Sequence, residues 1–299
     1  MESTHKAGFV NIIGNPNAGK STLMNALMGE KLSIVTPKAQ TTRHRIMGIL
    51  NGADYQIVYS DTPGVLDPKY KLHEGMMKFV GSALVDADLI LLVIDLSDKK
   101  PMHEATLNKI KKSGIPVFVV LNKYDVVGNE GANAAFEHWS LEMPDAKIFP
   151  VSALHKLQID LLLKQVIQVL PASPPYFPKD ELSDKSLRFF ASEIIREKIF
   201  LHYAKEIPYS TEVVVTSFKE EESKGGPMVR ITAEIIVERD SQKNILIGKG
   251  GAMLKKVGME ARKDIEKFLE TKVFLETFVK VLPDWRSKKN YLKSFGYEN

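Results

Sequence analysis

Gly14-Asn15-Pro16-Asn17-Ala18-Gly19-Lys20-Ser21 fits the pattern G-x-x-x-x-G-K-[ST], with the apolar run Phe9-Val10-Asn11-Ile12-Ile13 before it and Leu23, Ala26 and Leu27 at helical spacing after it. Strand, glycine-rich loop, helix is the context in which this string cradles phosphate. Glycines let the backbone curl until successive N–H groups point inward, and the new helix adds its positive N-terminal dipole. In that arrangement Lys20 reaches the β and γ phosphates, Ser21 holds Mg²⁺ through its hydroxyl, and Thr22 follows in the first helical turn. Without further support the alternative is a glycine-rich turn with no ligand.

The support lies downstream, where apolar runs alternate with helical patterns as they do in a parallel sheet covered on both faces. Strands are predicted at Gly8 to Ile13, Arg45 to Leu50, Gln56 to Ser60, Leu89 to Asp95, Val117 to Asn122 and Lys147 to Pro150. Helices are predicted at Lys20 to Met28, Glu74 to Val85, His103 to Ser113, Ala132 to Glu142 and Lys156 to Leu170. In an open sheet of this kind ligands bind at the carboxyl ends of the strands. Three further motifs fall at such ends. Asp61-Thr62-Pro63-Gly64 closes the third strand, so that Asp61 can take Mg²⁺ through water and the Gly64 N–H can reach a γ-phosphate. Asn122-Lys123-Tyr124-Asp125 closes the fifth, where the Asp125 carboxylate can accept from both N1–H and the N2 amino group of guanine, donors that adenine lacks there. Ser152-Ala153-Leu154 follows the sixth and supplies a backbone N–H, that of Ala153, for guanine O6. Each alone is a common surface turn. The ordered set points to GTP or GDP with Mg²⁺.

Composition bounds the rest. The chain has 299 residues, 26% charged and 44% apolar, which suits about two globular domains. It has no cysteine, which excludes disulfides and thiolate metal sites. The first residues, Met1 to Ala7, carry no apolar leader segment, and the longest apolar run, Leu89 to Ile94, is far below a membrane span, so a cytoplasmic protein is expected. Net charge is +4, with 19 basic and 18 acidic residues up to position 180 and 22 and 19 beyond it, so a nucleic-acid surface must be a local patch.

The loop Lys31 to Arg45 is the segment expected to sense the γ-phosphate. Its Lys38-Ala39-Gln40-Thr41-Thr42-Arg43-His44-Arg45, taken with N-P-N-A-G-K-S, D-T-P-G-V and N-K-Y-D, resembles the Era-like family of translation-associated GTPases. The resemblance implies that Thr42 is a second Mg²⁺ ligand beside Ser21, with Asp61 behind them; the plainer alternative is that Thr41 and Thr42 begin the next strand. Val65, next after D-T-P-G, stands where many GTPases place a water-orienting glutamine, and it has no hydrogen-bonding group. The resemblance implies that relatives with a hydrophobic residue there use K⁺ near the phosphates, held partly by the residue matching Asn17; otherwise Asn17 stabilises the turn. Hydrolysis would rest on Lys20, Thr42, Gly64 and Asn17.

Leu170 to Asp180 holds four prolines in eleven residues and reads as a semi-rigid linker, placing a first domain at 1–170, a linker at 171–183 and a second domain at 184–299. The second region reads helix, strand, acidic hairpin loop at Lys219 to Gly226, strand, short helix, Gly248-Lys249-Gly250-Gly251, long helix, strand. That order resembles a KH module of the prokaryotic type, in which a G-x-x-G turn clamps a single-stranded RNA backbone and an apolar groove holds bases. Ile245 and Ile247 suit the groove, and between Lys243 and Lys263 there are six basic residues, Lys249, Lys255 and Lys256 among them, against one acidic, Glu260. The alternative is a turn between two helices with a solvated lysine face. A second basic cluster, Arg286, Lys288, Lys289 and Lys293, accompanies Trp285, Tyr291 and Phe295, which suit core packing or base stacking equally.

The expected architecture is an α/β P-loop GTPase domain with a mainly parallel six-stranded sheet, followed by an α+β type II KH domain. The resemblance implies small-subunit 16S ribosomal RNA near its 3′ end as partner and a role in 30S assembly, as a monomer, and it leaves open a peripheral association with the inner face of the cell membrane. Two rival readings remain at this level: a signalling GTPase whose C-terminal domain docks a protein or membrane, and an RNA-binding scaffold that holds GTP without cleaving it.

Overall fold

The computed structural model describes residues 5–98, 100–223 and 225–297. The chain falls into two compact units, one of residues up to 184 without 70–72 and one of 70–72 with the residues from 185 onward. The first is built on β1 (Lys6–Gly14), β2 (Ile46–Asn51), β3 (Tyr55–Asp61), β4 (Leu89–Asp95), β5 (Val117–Asn122) and β6 (Lys147–Pro150), in the sheet order β2-β3-β1-β4-β5-β6. Pairing is parallel except at the edge, where β2 runs antiparallel to β3. The runs LILLVID and VFVVLN of β4 and β5 are buried along nearly their whole length, as strands covered on both faces require. The helices are α1 (Lys20–Met28), α2 (Lys71–Ala83), α3 (Glu104–Lys112), α4 (Tyr124–Glu142) and α5 (Ile159–Val169).

Three departures from the sequence reading have local causes. β2 starts at Ile46 because Arg45 is drawn inward, its guanidinium bonded to both oxygens of Asp86 (2.6 and 2.9 Å) and to Ser60 Oγ. α4 starts at Tyr124 rather than Ala132, with its helical path interrupted at Gly128 (φ 65°, ψ −165°), which hid its first turn from a periodicity count. α5 starts three residues late because Lys156 (φ 56°) and Gln158 (φ 64°) adopt left-handed conformations in a turn closed by mutual Ser152 and Leu157 backbone bonds. Residues 171–183, read from the sequence as a semi-rigid linker, lie as a strap along the first unit: the Ala7 N–H donates to Pro171 O (3.2 Å) and the Ile49 N–H to Leu182 O (2.9 Å), while Gln56 Oε1 accepts from the Tyr176 and Phe177 N–H groups. Tyr176 stacks on Phe9 at 5.1 Å. The strap covers the exposed edge of β2, an edge that proteins otherwise protect with charge or proline.

In the second unit α6 (Leu187–His202) precedes the antiparallel pair β7 (Glu212–Ser223) and β8 (Gly226–Val237); α7 (Asp240–Ile247) and α8 (Ala252–Leu269) follow, and β9 (Lys272–Val281) then pairs parallel with β8. The expected acidic loop is largely strand: Glu220 and Glu221 pair with Val229 and Met228, and Glu221 meets Arg230 at 3.2 Å; Lys224 of that stretch lies outside the described residues. Val257, Ala261 and Ile265 present one apolar stripe of α8 to a core with Ile195, Ile199, Ile231, Ala233, Ile235 and Leu246. The tail ends in α9 (Lys289–Ser294). Trp285 is fully buried and donates its indole N–H to Ser210 O (3.0 Å), and the Tyr297 hydroxyl donates to Glu212 Oε2 (2.6 Å). Trp285 therefore packs in the core, while Tyr291 and Phe295 stack on each other.

Candidate nucleotide site and nucleic-acid interface

The carboxyl ends of β1, β3, β5 and β6 bring the four motifs to one side of the sheet, around a cleft of about 440 Å³. Its wall holds Pro16, Asn17, Gly19 to Thr22, Thr62, Gly64, Asn122, Lys123, Asp125 and Leu154, and on the other side residues 34–38 and 40–42 of the switch loop. Gly19 has φ +90°, and a Cβ there would lie 2.2 Å from Asn122 Nδ2, so the loop closes on the base-recognition segment only with glycine at this place.

Asn122 joins the two halves of the cleft. Its Nδ2 donates to Ala18 O (2.8 Å) and its Oδ1 accepts from the Ala153 N–H (3.0 Å), the N–H that the sequence reading directs to guanine O6. Lys123, left-handed at φ 66°, sends its ammonium to Asp95 Oδ2 (2.5 Å), and Asp125 falls in the first turn of α4, where the helix dipole favours a carboxylate. Asp95 was not singled out from the sequence; the signal was its position as the last residue of β4, in register with Asn122.

Lys20 is buried, with its ammonium on Asn15 O (2.9 Å). Burial draws its pKa down to about 8, against the opposing pull of the Asp61 charge. Phosphates favour the ammonium, so nucleotide binding above that pH must take up a proton and affinity must fall as pH rises past about 8. Titration calorimetry at about pH 8.5 in two buffers of different ionisation heat is expected to read this uptake in the native chain and to lose it in Lys20→Arg, whose side chain stays charged. Uptake that persists in Lys20→Arg assigns the proton to another group.

Ser21 Oγ lies 2.7 Å from Thr42 Oγ1 and 2.6 Å from Asp61 Oδ2, and Thr42 Oγ1 is 3.2 Å from the same carboxylate oxygen. Thr42 is thus in the switch loop at the cleft and not in β2. Asp61 is fully buried, which raises its pKa against the opposing Ser21 hydroxyl and Lys20 charge. Its Oδ1 is buried without a hydrogen-bond partner. Hydroxyls and a carboxylate with an unmet acceptor are the hard oxygen donors that suit Mg²⁺, so the residues present fit that ion.

Several expected site residues are bonded to the structure around the cleft or packed beneath it. The Val65 side chain is 5% exposed in the core with Ile13, Val80 and Ile90, and only its backbone N–H, on Gly14 O (3.2 Å), touches the phosphate loop. Asn15 Nδ2 is turned to Pro101 O, the Thr62 hydroxyl holds Ile12 O (2.7 Å), and Ser152 is buried. Gly14, Ala18 and Pro63 contribute backbone to the loops that bound the cleft. Asn17 Nδ2 donates to Pro37 O (3.3 Å), which ties the phosphate loop to the switch loop.

In the second unit the α7–α8 junction carries Gly248 at φ 70°, ψ 178°, a conformation open essentially to glycine alone. A Cβ there would sit 2.8 Å from Met253 Cγ, whereas Gly250 and Gly251 have open space around them. Lys249, Lys255 and Lys256 are exposed around this turn, Ile245 is 54% exposed, and Ile247 is half-buried beside buried Leu246. The two helices pack against β9, an edge strand.

A G-x-x-x-x-G-K-S phosphate-loop motif and an N-K-x-D motif at strand ends of a mostly parallel sheet, followed by a helix-turn-helix with G-x-x-G on a three-stranded sheet, are the marks of a GTPase with a KH domain. Residues 9–123 match the family described as 50S ribosome-binding GTPase, and residues 206–286 match the KH domain. The chain belongs to the GTPase Era family. It is 45% identical to GTPase Era of Syntrophus aciditrophicus over 293 residues, 98% of this chain and 95% of that one, and 45% identical to GTPase Era of Geotalea uraniireducens over 299 residues, 99% of each. It also superposes with TM-score 0.94, at 40% identity over 99% of this chain and all of the other, on Era in complex with MgGDPNP and nucleotides 1506–1542 of 16S ribosomal RNA. A variant of Aquifex aeolicus Era bound to GDP and AlF4⁻ superposes with TM-score 0.93, at 40% identity over 98% of this chain and all of the other. Among the described residues no helix is long and apolar enough to cross a membrane.

Proposed function

We propose that this GTPase is a cytoplasmic switch that binds the 3′ region of 16S ribosomal RNA through its KH domain and acts in assembly of the 30S subunit. The observation that carries this reading is the Gly248-Lys249-Gly250-Gly251 turn, with Lys249, Lys255 and Lys256 exposed around it, on the same chain as a cleft lined by phosphate-loop, switch-loop and N-K-x-D residues. The Era structure that holds such an RNA supports the choice of partner. In the nucleotide cleft Lys20 and the Gly64 N–H bind the terminal phosphates, Ser21 and Thr42 hold Mg²⁺ with Asp61 behind them, and Asp125 selects guanine. With Val65 buried, no side chain at that position orients the attacking water; K⁺ at the remaining Oδ1 of Asn17 would supply charge there.

Binding of a single-stranded fragment of the 16S 3′ end tests the reading. Affinity is expected to fall with salt, and replacing Lys255 and Lys256 by alanine is expected to flatten the log–log slope by up to ~1.4, since single strands contribute about 0.7 per phosphate contact. An unchanged slope places the phosphates elsewhere, and no binding in either chain favours the protein-docking alternative.

A further inference from the structure

His73, in the first turn of α2, is tied to the loop that carries Thr42. The Lys69 N–H donates to His73 Nδ1 (3.3 Å), so the ring proton sits on Nε2, which lies 3.1 Å from Gln40 Oε1. His73 is 4% exposed and cannot exchange this partner readily for water. Gln40 holds a left-handed backbone, φ 59°, two residues before Thr42. The next residue is pinned from the other side: the Thr41 hydroxyl donates to Lys38 O (2.7 Å) and lies 2.7 Å from Thr36 Oγ1.

We propose that His73 is a positioning residue that couples α2 to the Mg²⁺ ligand Thr42 through Gln40. The left-handed turn at Gln40 sets the direction in which the chain enters Thr41 and Thr42, and a non-glycine residue in that region is held there by its surroundings rather than by preference. The His73–Gln40 bond is the hold supplied by α2. Breaking it frees the turn, and Thr42 Oγ1 no longer rests beside Ser21 and Asp61. GDP, which lacks the phosphate that Thr42 and its ion grip together, is indifferent to this; a triphosphate is not. The inference rests on the assignment of Thr42 as the ligand of the triphosphate state.

Affinities for GDP and for the non-hydrolysable analogue GDPNP, measured in Mg²⁺ by competition with a fluorescent nucleotide, test it. His73→Phe, close in volume but without the donor, is expected to lose about tenfold in GDPNP affinity with GDP within twofold. His73→Gln keeps an amide N–H near the Nε2 position and is expected to restore most of the loss. Gln40→Met, at a half-buried place, is expected to match His73→Phe, and the double variant to be no worse than either. Parallel losses for GDP and GDPNP, failure of His73→Gln to recover, or additive losses in the double variant each overturn the coupling. Thr42→Ala separates the two claims. If it leaves the GDPNP-to-GDP ratio unchanged, the assignment of Thr42 fails; if it lowers the ratio while His73→Phe does not, only the coupling fails.

Discussion

Asp125→Asn is expected to lower affinity for GTP by about 10³- to 10⁴-fold and to make xanthosine triphosphate the preferred ligand. The native carboxylate offers guanine two charge-assisted acceptors, and the asparagine amide turns a donor toward the guanine amino group, so one bond is lost and a donor faces a donor. Xanthine carries a carbonyl at that place and accepts the amide. The change is sterically neutral, and Asp125 lines the cleft with 23% of its side chain exposed, 3.6 Å from His155 Nε2. Competition of GTP and XTP against labelled GDP reads the switch. A variant that still prefers GTP removes Asp125 from the base site.

Gly248→Asp is expected to weaken single-stranded RNA binding by about a hundredfold while leaving GTP turnover without RNA as in the native chain. Two effects add. The φ 70°, ψ 178° backbone admits a side chain only at a cost of ~1 to 3 kcal/mol, with the new Cβ 2.8 Å from Met253, and the carboxylate repels phosphates that the turn would otherwise approach. Gly250 separates the two. It has φ 60° and open space, a place that Asp and Asn both tolerate, so Gly250→Asp is expected to cost about tenfold and the isosteric Gly250→Asn only a few-fold. Filter binding at fixed salt distinguishes them; equal affinity in Gly250→Asp and Gly250→Asn shows that phosphate does not pass this turn.

The parts of the cleft that were legible in sequence are those whose chemistry is confined to a fixed spacing. Gly19-Lys20-Ser21, Asp61 and Asn122 to Asp125 each lie at a strand end, and an apolar run announces each strand. What was not legible depends on partners far along the chain. Asn122 reads as part of a base-binding string, yet its amide spans Ala18 and Ala153; Val65 reads as a failed catalytic position, yet its side chain belongs to the core. Gln40 and His73 are 33 positions apart, and no local pattern pairs them. Proline density at 171–183 points away from helix and central strand, but the same property suits a semi-rigid linker and an edge strap equally, and it is the bonds to Ala7, Ile49 and Gln56 that lay this segment along the first unit.

That strap has a consequence for the order in which the protein comes into being. A chain made from its N-terminus has every strand and helix of the nucleotide unit once α5 is complete, yet the outer edge of β2 stays bare until Leu182 and Ser183 have emerged. Until then the youngest part of the chain owes a covering to one of the oldest, and an open strand edge is the kind of surface through which nascent chains pair wrongly. The nucleotide unit is therefore finished by its last dozen or so residues, at the threshold of the RNA-binding unit.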